Sequence, residues 1–220
     1  MSQQFGGNEL TMELDSRLPW EGKMSAKVKG NDTKCRLAFR IPSWSRQTVA
    51  TISKDGETKK LYLDRKCNLS NDTDNATVIN GYLYLEDVWN EAEISFDYDM
   101  KVTLLRANNR VREDVGKLAV RRGPITYCLE EKDNGKNLQL IHLDRARYED
   151  QGAEVKLVEG LDPNMLEVIL PGIKEKIDEE GELYMAAFDE RAFERTDLHL
   201  IPYYAWNNRG VGEMSVFFRG

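Results

Sequence analysis

Apolar and polar residues alternate along most of this chain. Leu10, Met12 and Leu14 do so first, followed by Met24, Ala26 and Val28, and then by Leu37, Phe39 and Ile41. Farther on come Leu83 with Leu85, then Ile94, Phe96 and Tyr98, then Leu118 with Val120. Successive side chains of an extended strand point to opposite faces. Alternation over about four to eight residues therefore puts one face in a core and the other in water, the mark of antiparallel strands. Asn80-Gly81, between Val78-Ile79 and Tyr82-Leu83, predicts a type I′ hairpin, because both central positions need positive φ. Many short strands with frequent turns predict an all-β sandwich or barrel rather than an α/β fold.

Helical pattern is scarce: Asp189 to Arg195 predicts a turn or a short helix, and nothing else sustains a period near 3.6. Turn material is plentiful at Asp55-Gly56, Asn68 to Asn75, Asp133-Asn134-Gly135, Asp162-Pro163-Asn164 and Glu179-Glu180-Gly181. Polar residues from Arg106 to Glu113 interrupt the strand pattern and mark a boundary between Leu104 and Asp114. The segment Leu200 to Gly210, Leu-Ile-Pro-Tyr-Tyr-Ala-Trp-Asn-Asn-Arg-Gly, precedes a short apolar run from Met214 to Phe218. So many aromatics between a proline and a glycine do not suit a solvated tail. The run after them must pair with something earlier in the chain.

Composition narrows the classes. The 220 residues are 40 % hydrophobic and 31 % charged, as in ordinary globular proteins, and allow one or two domains. A net charge of −7 argues against nucleic acid or an anionic membrane as partner, since both need a cationic face. No apolar run approaches the roughly 18 residues that span a bilayer. Met1 to Asn8 lacks the cationic start and apolar centre of a signal peptide, so the expected location is the cytoplasm, unless an upstream signal has been removed. Cys35, Cys67 and Cys128 make neither a Cys-x-x-Cys pair nor a disulfide framework. Cys35, alternating with Leu37, Phe39 and Ile41, suits a small buried apolar position. Sequons begin at Asn31, Asn68, Asn71 and Asn75; the last three crowd one loop rich in Asn, Asp, Ser and Thr, and without a secretory signal they read as accidents of its composition.

Candidate chemistry is thin. Glu130-Glu131 and Glu179-Glu180 are adjacent carboxylates, which point to opposite faces of a strand. A glycosidase pair must converge, at about 5–5.5 Å for retention or roughly 6.5–9.5 Å for inversion. His142 and His199 sit in strand-like, leucine-flanked contexts that suit structural histidines. Asp72-Thr73-Asp74-Asn75 has oxygens suited to calcium but lacks the glycine and distal glutamate of an EF-hand loop. Arg122-Gly123-Pro124 makes no phosphate cradle, because proline has no N–H.

Five segments in order carry a resemblance: Leu18-Pro19-Trp20-Glu21-Gly22-Lys23, Arg40-Ile41-Pro42-Ser43-Trp44, Asn80-Gly81-Tyr82 leading to Trp89, Gly116 to Glu130 (GKLAVRRGPITYCLE), and Ile201 to Gly210. Together they resemble the C-terminal, non-catalytic part of the β-L-arabinofuranosidases of glycoside hydrolase family 127, over essentially the whole chain. The resemblance implies two antiparallel, jelly-roll-like β-sandwiches, the second inserted into the first. Residues 1–104 and a return strand at 206–220 would form the first sandwich, and residues 105–205 the second. Where the family commonly has Gly-Asp after the tryptophan and its spacer, this chain has Trp89-Asn90-Glu91-Ala92, which implies a tight turn built differently there.

The family's retaining hydrolysis uses a cysteine nucleophile in a zinc site of cysteines and a glutamate, with a second glutamate as acid/base, all in an (α/α)6 barrel. The resemblance therefore implies no catalytic residue, cofactor or metal ligand in this chain. It implies as partners the catalytic barrel, a second copy of the chain in a homo-oligomer, and a plant-type arabinosyl glycan as the parent enzyme's substrate. The remaining candidates are aromatic or interface contacts: Trp44, Trp89, Tyr203, Tyr204, Trp206 and Arg209. Packing is the first reading for the aromatics, because large apolar area stabilises most when buried. Stacking on sugar, as in a carbohydrate-binding module, is the alternative. A self-contained hydrolase is the third reading.

Overall fold

A computed structural model describes residues 2–5, 8–70, 75–158, 164–177, 181–184, 186 and 192–220. The chain divides into two compact units, Met1–Lys101 and Val102–Gly220. Both are built from antiparallel strands, as the alternation predicts.

The first unit contains β1 (Ser2–Phe5), β2 (Asn8–Ser16), β3 (Lys23–Arg40), β4 (Gln47–Lys54), β5 (Glu57–Asp64), β6 (Ala76–Ile79) and β7 (Tyr82–Tyr98). They hydrogen-bond in the order β1-β2-β3-β7-β4-β5, with β6 on β7. Asn80 and Gly81 take φ of 51° and 76° in the tight turn between β6 and β7, as the hairpin signal requires. Asp55 and Gly56 (φ 52° and 80°) do the same between β4 and β5.

The two longest strands, β3 and β7, pair along nearly their whole length, and both change parity midway. On β3 the buried set is Ala26 and Val28, then Thr33, Leu37 and Phe39. On β7 it is Leu83, Leu85 and Trp89, then Ala92, Ile94, Phe96 and Tyr98. The register explains the switch: Lys29 opposes Glu91 and Thr33 opposes Trp89, so Gly30, Asn31 and Asp32 face Asn90 alone. An insertion of this kind breaks the ladder and adds local twist. Both halves of each strand thereby feed one core, which holds Phe39, Leu61, Leu83, Trp89, Ile94 and Phe96. Gly30 is required here, since a Cβ would lie 2.5 Å from the Trp89 carbonyl oxygen. At Trp89-Asn90, where a turn was implied, β7 runs straight through, and the bulge lies opposite it on β3.

The second unit contains β8 (Val102–Leu105), β9 (Lys117–Arg122), β10 (Ile125–Glu130), β11 (Ile141–Leu143), β12 (Glu154–Leu157), β13 (Leu166–Glu175), β14 (Phe193–Pro202), β15 (Met214–Ser215) and β16 (Phe217–Arg219). Its sheet closes on itself, because β9 pairs with β10 as well as with β16, and the path β10-β14-β13-β11-β16-β9 returns to its start. Closure leaves fewer unpaired strand edges. One face of the sheet packs Val120, Tyr127, Leu129, Leu170, Leu198 and Leu200. The other buries a smaller group of Cys128, Met165, Ile201 and Ala205.

The expectation of a return strand to the first sheet is corrected here. β9 and β10 pair beside their turn, from Arg122↔Ile125 to Val120↔Tyr127, and then part. The last segment enters that fork. Leu129 and Glu130 of β10 pair with Ser215 and Met214, while Lys117 to Ala119 of β9 pair with Arg219 to Phe217. Both pairings are antiparallel to strands that run oppositely, so the chain reverses at Val216. The hydrogen-bonding groups of the closing segment are thereby spent on the second sheet.

Two short helices were not legible in the pattern: α1 (Glu131–Asn134) and α2 (Arg145–Gln151). Asp144 caps α2 by accepting a hydrogen bond from the Arg147 N–H at 3.2 Å. The helix expected at Asp189 to Arg195 is corrected in its second half, where Phe193 to Arg195 form strand; residues 187–191 lie outside the described residues.

Candidate functional site

The aromatic segment is held in place by one buried carboxylate. β14 ends at Pro202, and Tyr203–Ala205 form a single 3-10 turn. Ala205 is buried against Cys128, Met165 and Ile201, on the sheet face opposite the main core. Beyond it, Asn207 adopts a positive φ of 66° and donates its backbone N–H to Glu130 Oε1 at 3.0 Å. Arg209 Nε donates to Glu130 Oε2 at 3.0 Å, and Nη2 also reaches that oxygen. The same guanidinium holds Asp133, with Nη1 to Oδ1 at 3.1 Å and Nη2 to Oδ2. Lys132 Nζ reaches the Arg209 carbonyl at 3.3 Å. Glu130 is 5 % exposed, and burying a carboxylate is costly unless it is paired and hydrogen-bonded. The three donors, two of them from one planar guanidinium, meet that requirement.

The base below the clamp is also fixed. Asn134 Nδ2 donates to the carbonyls of Glu130 (3.0 Å) and His199 (2.8 Å), and its Oδ1 accepts from the His199 N–H at 2.9 Å. Glu213 accepts from the N–H groups of Leu138 (2.9 Å) and Asn137 (3.0 Å), which lower its pKa below the usual carboxylate range. Burial pushes the Cys128 thiol up to about 12, with the Glu130 charge adding to the rise and Arg209 opposing it.

On this base Tyr203 and Trp206 stack, ring planes 10° apart and centroids 6.4 Å apart. Tyr203 is 47 % exposed, Tyr204 54 % and Trp206 42 %. Of the residues singled out in the sequence, the structure thus groups Tyr203, Tyr204, Trp206 and Arg209. Trp89 is corrected: it is 1 % exposed, with Nε1 donating to the Cys35 carbonyl at 3.0 Å, and it serves the first core rather than a contact surface. Trp44 is half-buried, edge-on to Tyr98 at 5.8 Å. Glu130 and Asp133, which aim the arginine, were missed as its partners, because a carboxylate at a strand end reads as surface charge.

The arrangement positions an aromatic surface. Glu130 is taken up by Arg209 and Asn207, while Glu131 Oε2 accepts from the Glu213 N–H at 3.0 Å. His199 Nδ1 lies 3.3 Å from Glu167 Oε2, and His142 packs edge-on to Phe193 at 5.9 Å. Among the described residues no three His, Cys, Asp or Glu side chains gather as a metal site. Asp72 to Asp74, the calcium-like run, lie outside the described residues. No helix among the described residues is long and apolar enough to cross a membrane.

Known proteins match this chain in two consecutive blocks. Residues 2–100 match the β-L-arabinofuranosidase GH127 middle domain, and residues 102–219 match the glycoside hydrolase family 127 C-terminal domain. A non-reducing end β-L-arabinofuranosidase of Bifidobacterium longum subsp. longum is 35 % identical over 234 aligned positions, which cover 100 % of this chain and 32 % of that protein. The solved structure of a GH127 β-L-arabinofuranosidase from Geobacillus stearothermophilus T6 superposes with a TM-score of 0.82 at 29 % identity, covering 100 % of this chain and 32 % of its own. A further structure, described as a GH127 β-arabinofuranosidase, shares the fold at a TM-score of 0.73 and 23 % identity, over 99 % of this chain and 33 % of its own. The chain spans about a third of the length of each of these relatives. Its two units, each matched by its own domain of the family, place the chain in glycoside hydrolase family 127.

Proposed function

We propose that this chain is the non-catalytic accessory region of a β-L-arabinofuranosidase-like glycoside hydrolase, and that its Tyr203–Trp206 surface rests against the (α/α)6 catalytic barrel. One observation carries the reading: large aromatics stand exposed on a turn that a buried ion pair holds rigid. Water solvates such rings poorly, and a preorganised aromatic surface loses little entropy when a partner covers it. The relatives are about three times as long as this chain, so the family has further structure that can cover it. On this reading the hydrolysis, the arabinosyl glycan and the zinc belong to the barrel.

The test is a chimaera in which this chain replaces the corresponding third of the Bifidobacterium relative. It is expected to hydrolyse an aryl β-L-arabinofuranoside, and Tyr203→Ala with Trp206→Ala to lower its melting temperature by several degrees. Turnover by the isolated chain, abolished by one carboxylate substitution, would sink the accessory reading. Glycan binding by the isolated chain, lost in Trp206→Ala, would convert the surface to a sugar-binding platform.

A further inference from the structure

The outward face of the first unit's sheet carries a trough. Where β2, β3, β7, β4 and β5 lie side by side, the register aligns Asp15, Ser25, Ser95, Thr51 and Lys60 in one row across the strands. The next row runs Lys23, Asp97, Val49 and Tyr62. Short hydroxyl side chains hold the middle of the first row and are half-buried, whereas Asp15 and Lys60 at its ends and Tyr62 beside them are exposed. Small residues between long ones leave a hollow of about 560 Å³, within the ordinary range for small-ligand sites. The row on the other side is built differently, with Glu13, Lys27 and Glu93 alternating in charge as solvated sheet faces commonly do.

We propose that this trough binds a neutral oligosaccharide laid across the strands. The floor supplies the hydroxyls of Ser25, Ser95 and Thr51, which both donate and accept hydrogen bonds. The walls add acceptors at Asp15 and Asp97 and donors at Arg17, Lys23 and Lys60. Such a mixture matches a polyol, whose every hydroxyl needs both kinds of partner. It does not match an apolar ligand, which would leave the floor unsatisfied. Tyr62, 48 % exposed at the edge of the trough, supplies an aromatic ring for the C–H side of a sugar. The site lies wholly within the first unit, and it does not depend on docking at the Tyr203–Trp206 surface in the second.

The test is calorimetric titration of the full chain with arabinotriose and with xylotriose, using inositol hexakisphosphate as an anionic control. Saturable binding of a trisaccharide is expected, weakened by about tenfold or more in Tyr62→Ala and in Ser95→Gln, whose longer side chain fills the floor. Circular dichroism and melting of both variants confirm that they are folded. Failure of the wild-type chain to bind either trisaccharide would overturn the proposal, as would binding of the anionic control alone. So would sugar binding that both variants retain, including binding lost only in Trp206→Ala.

Discussion

Asn90 and Asp32 hold each other across the break in the β3–β7 ladder: the Asp32 N–H donates to Asn90 Oδ1 at 2.7 Å, and Asn90 Nδ2 donates to Asp32 Oδ1 at 2.9 Å. The pair replaces the backbone bonds that the bulge removes. Asp32 also takes a positive φ of 47°, which Asp tolerates better than branched residues do. Asn90→Ala is expected to destabilise the first unit by about 1 kcal/mol, the net worth of such bonds, read as a melting shift of a few degrees. Asp32→Val should cost more than Asp32→Gly, because glycine keeps the conformation and valine does not. Equal losses in the two would show that the backbone conformation there carries no weight.

The clamp below the aromatic turn gives a second expectation. Arg209→Ala leaves Glu130 buried without its cation, and breaking a buried pair from one side costs about 3–5 kcal/mol. Glu130→Gln combined with Arg209→Met should be milder, because no buried charge is left behind. Denaturant unfolding followed by Trp206, the tryptophan of the second unit, measures both. A single variant no worse than the double would refute the charge argument.

Acid should weaken the second unit through Glu213. The N–H groups of Leu138 and Asn137 depress its pKa, so the carboxylate adds stability that is full above the ordinary Glu value, near pH 4.3. That contribution is lost as pH falls through the lower folded value. In Glu213→Gln this part of the acid dependence should vanish, leaving a flatter melting curve below about pH 4. An unchanged acid slope in the variant would rule the group out.

Cys128 is expected to resist alkylation. Its thiol is held near 12 and fully enclosed, so at mild alkaline pH almost no thiolate exists to react. Mass spectrometry after iodoacetamide should find it unmodified in the native protein and modified in denaturant. Cys67, half-buried with φ of 61°, supplies the internal comparison.

The strands were largely legible because burial on one face writes itself as alternation. Leu37, Phe39 and Ile41, or Leu83 and Leu85, could be placed facing inward without a structure. The parity switch at Asp32 and Asn90 was not, since a periodic reading simply restarts after an interruption and hides whether the same strand continues. Pairing of the closing segment was mislaid for a different reason: Phe218 bonds opposite Leu118, a hundred residues earlier, and no local pattern records that choice. Trp89 and Trp206 look alike in sequence, each an aromatic beside an asparagine. Only the fold sends the first into the core and leaves the second at the surface of its unit. Arg209 was read as an interface contact, but its partner lay 79 residues away on β10. The cavity row at Ser25, Ser95 and Thr51 escaped notice because serine and threonine on a polar face carry no signal until the strands are set side by side.

The fork between β9 and β10 also has a kinetic side. Strands β9 and β10 meet at their turn early in the chain order, yet the edges they open toward each other wait for residues 214 to 219. Until those arrive, two bare strand edges lie next to one another, a ready template for another chain. Contacts of such long sequence separation also form slowly. The second unit therefore has its most aggregation-prone moment late, after the first has all the strands it needs, and removing Met214 to Arg219 would make that moment permanent.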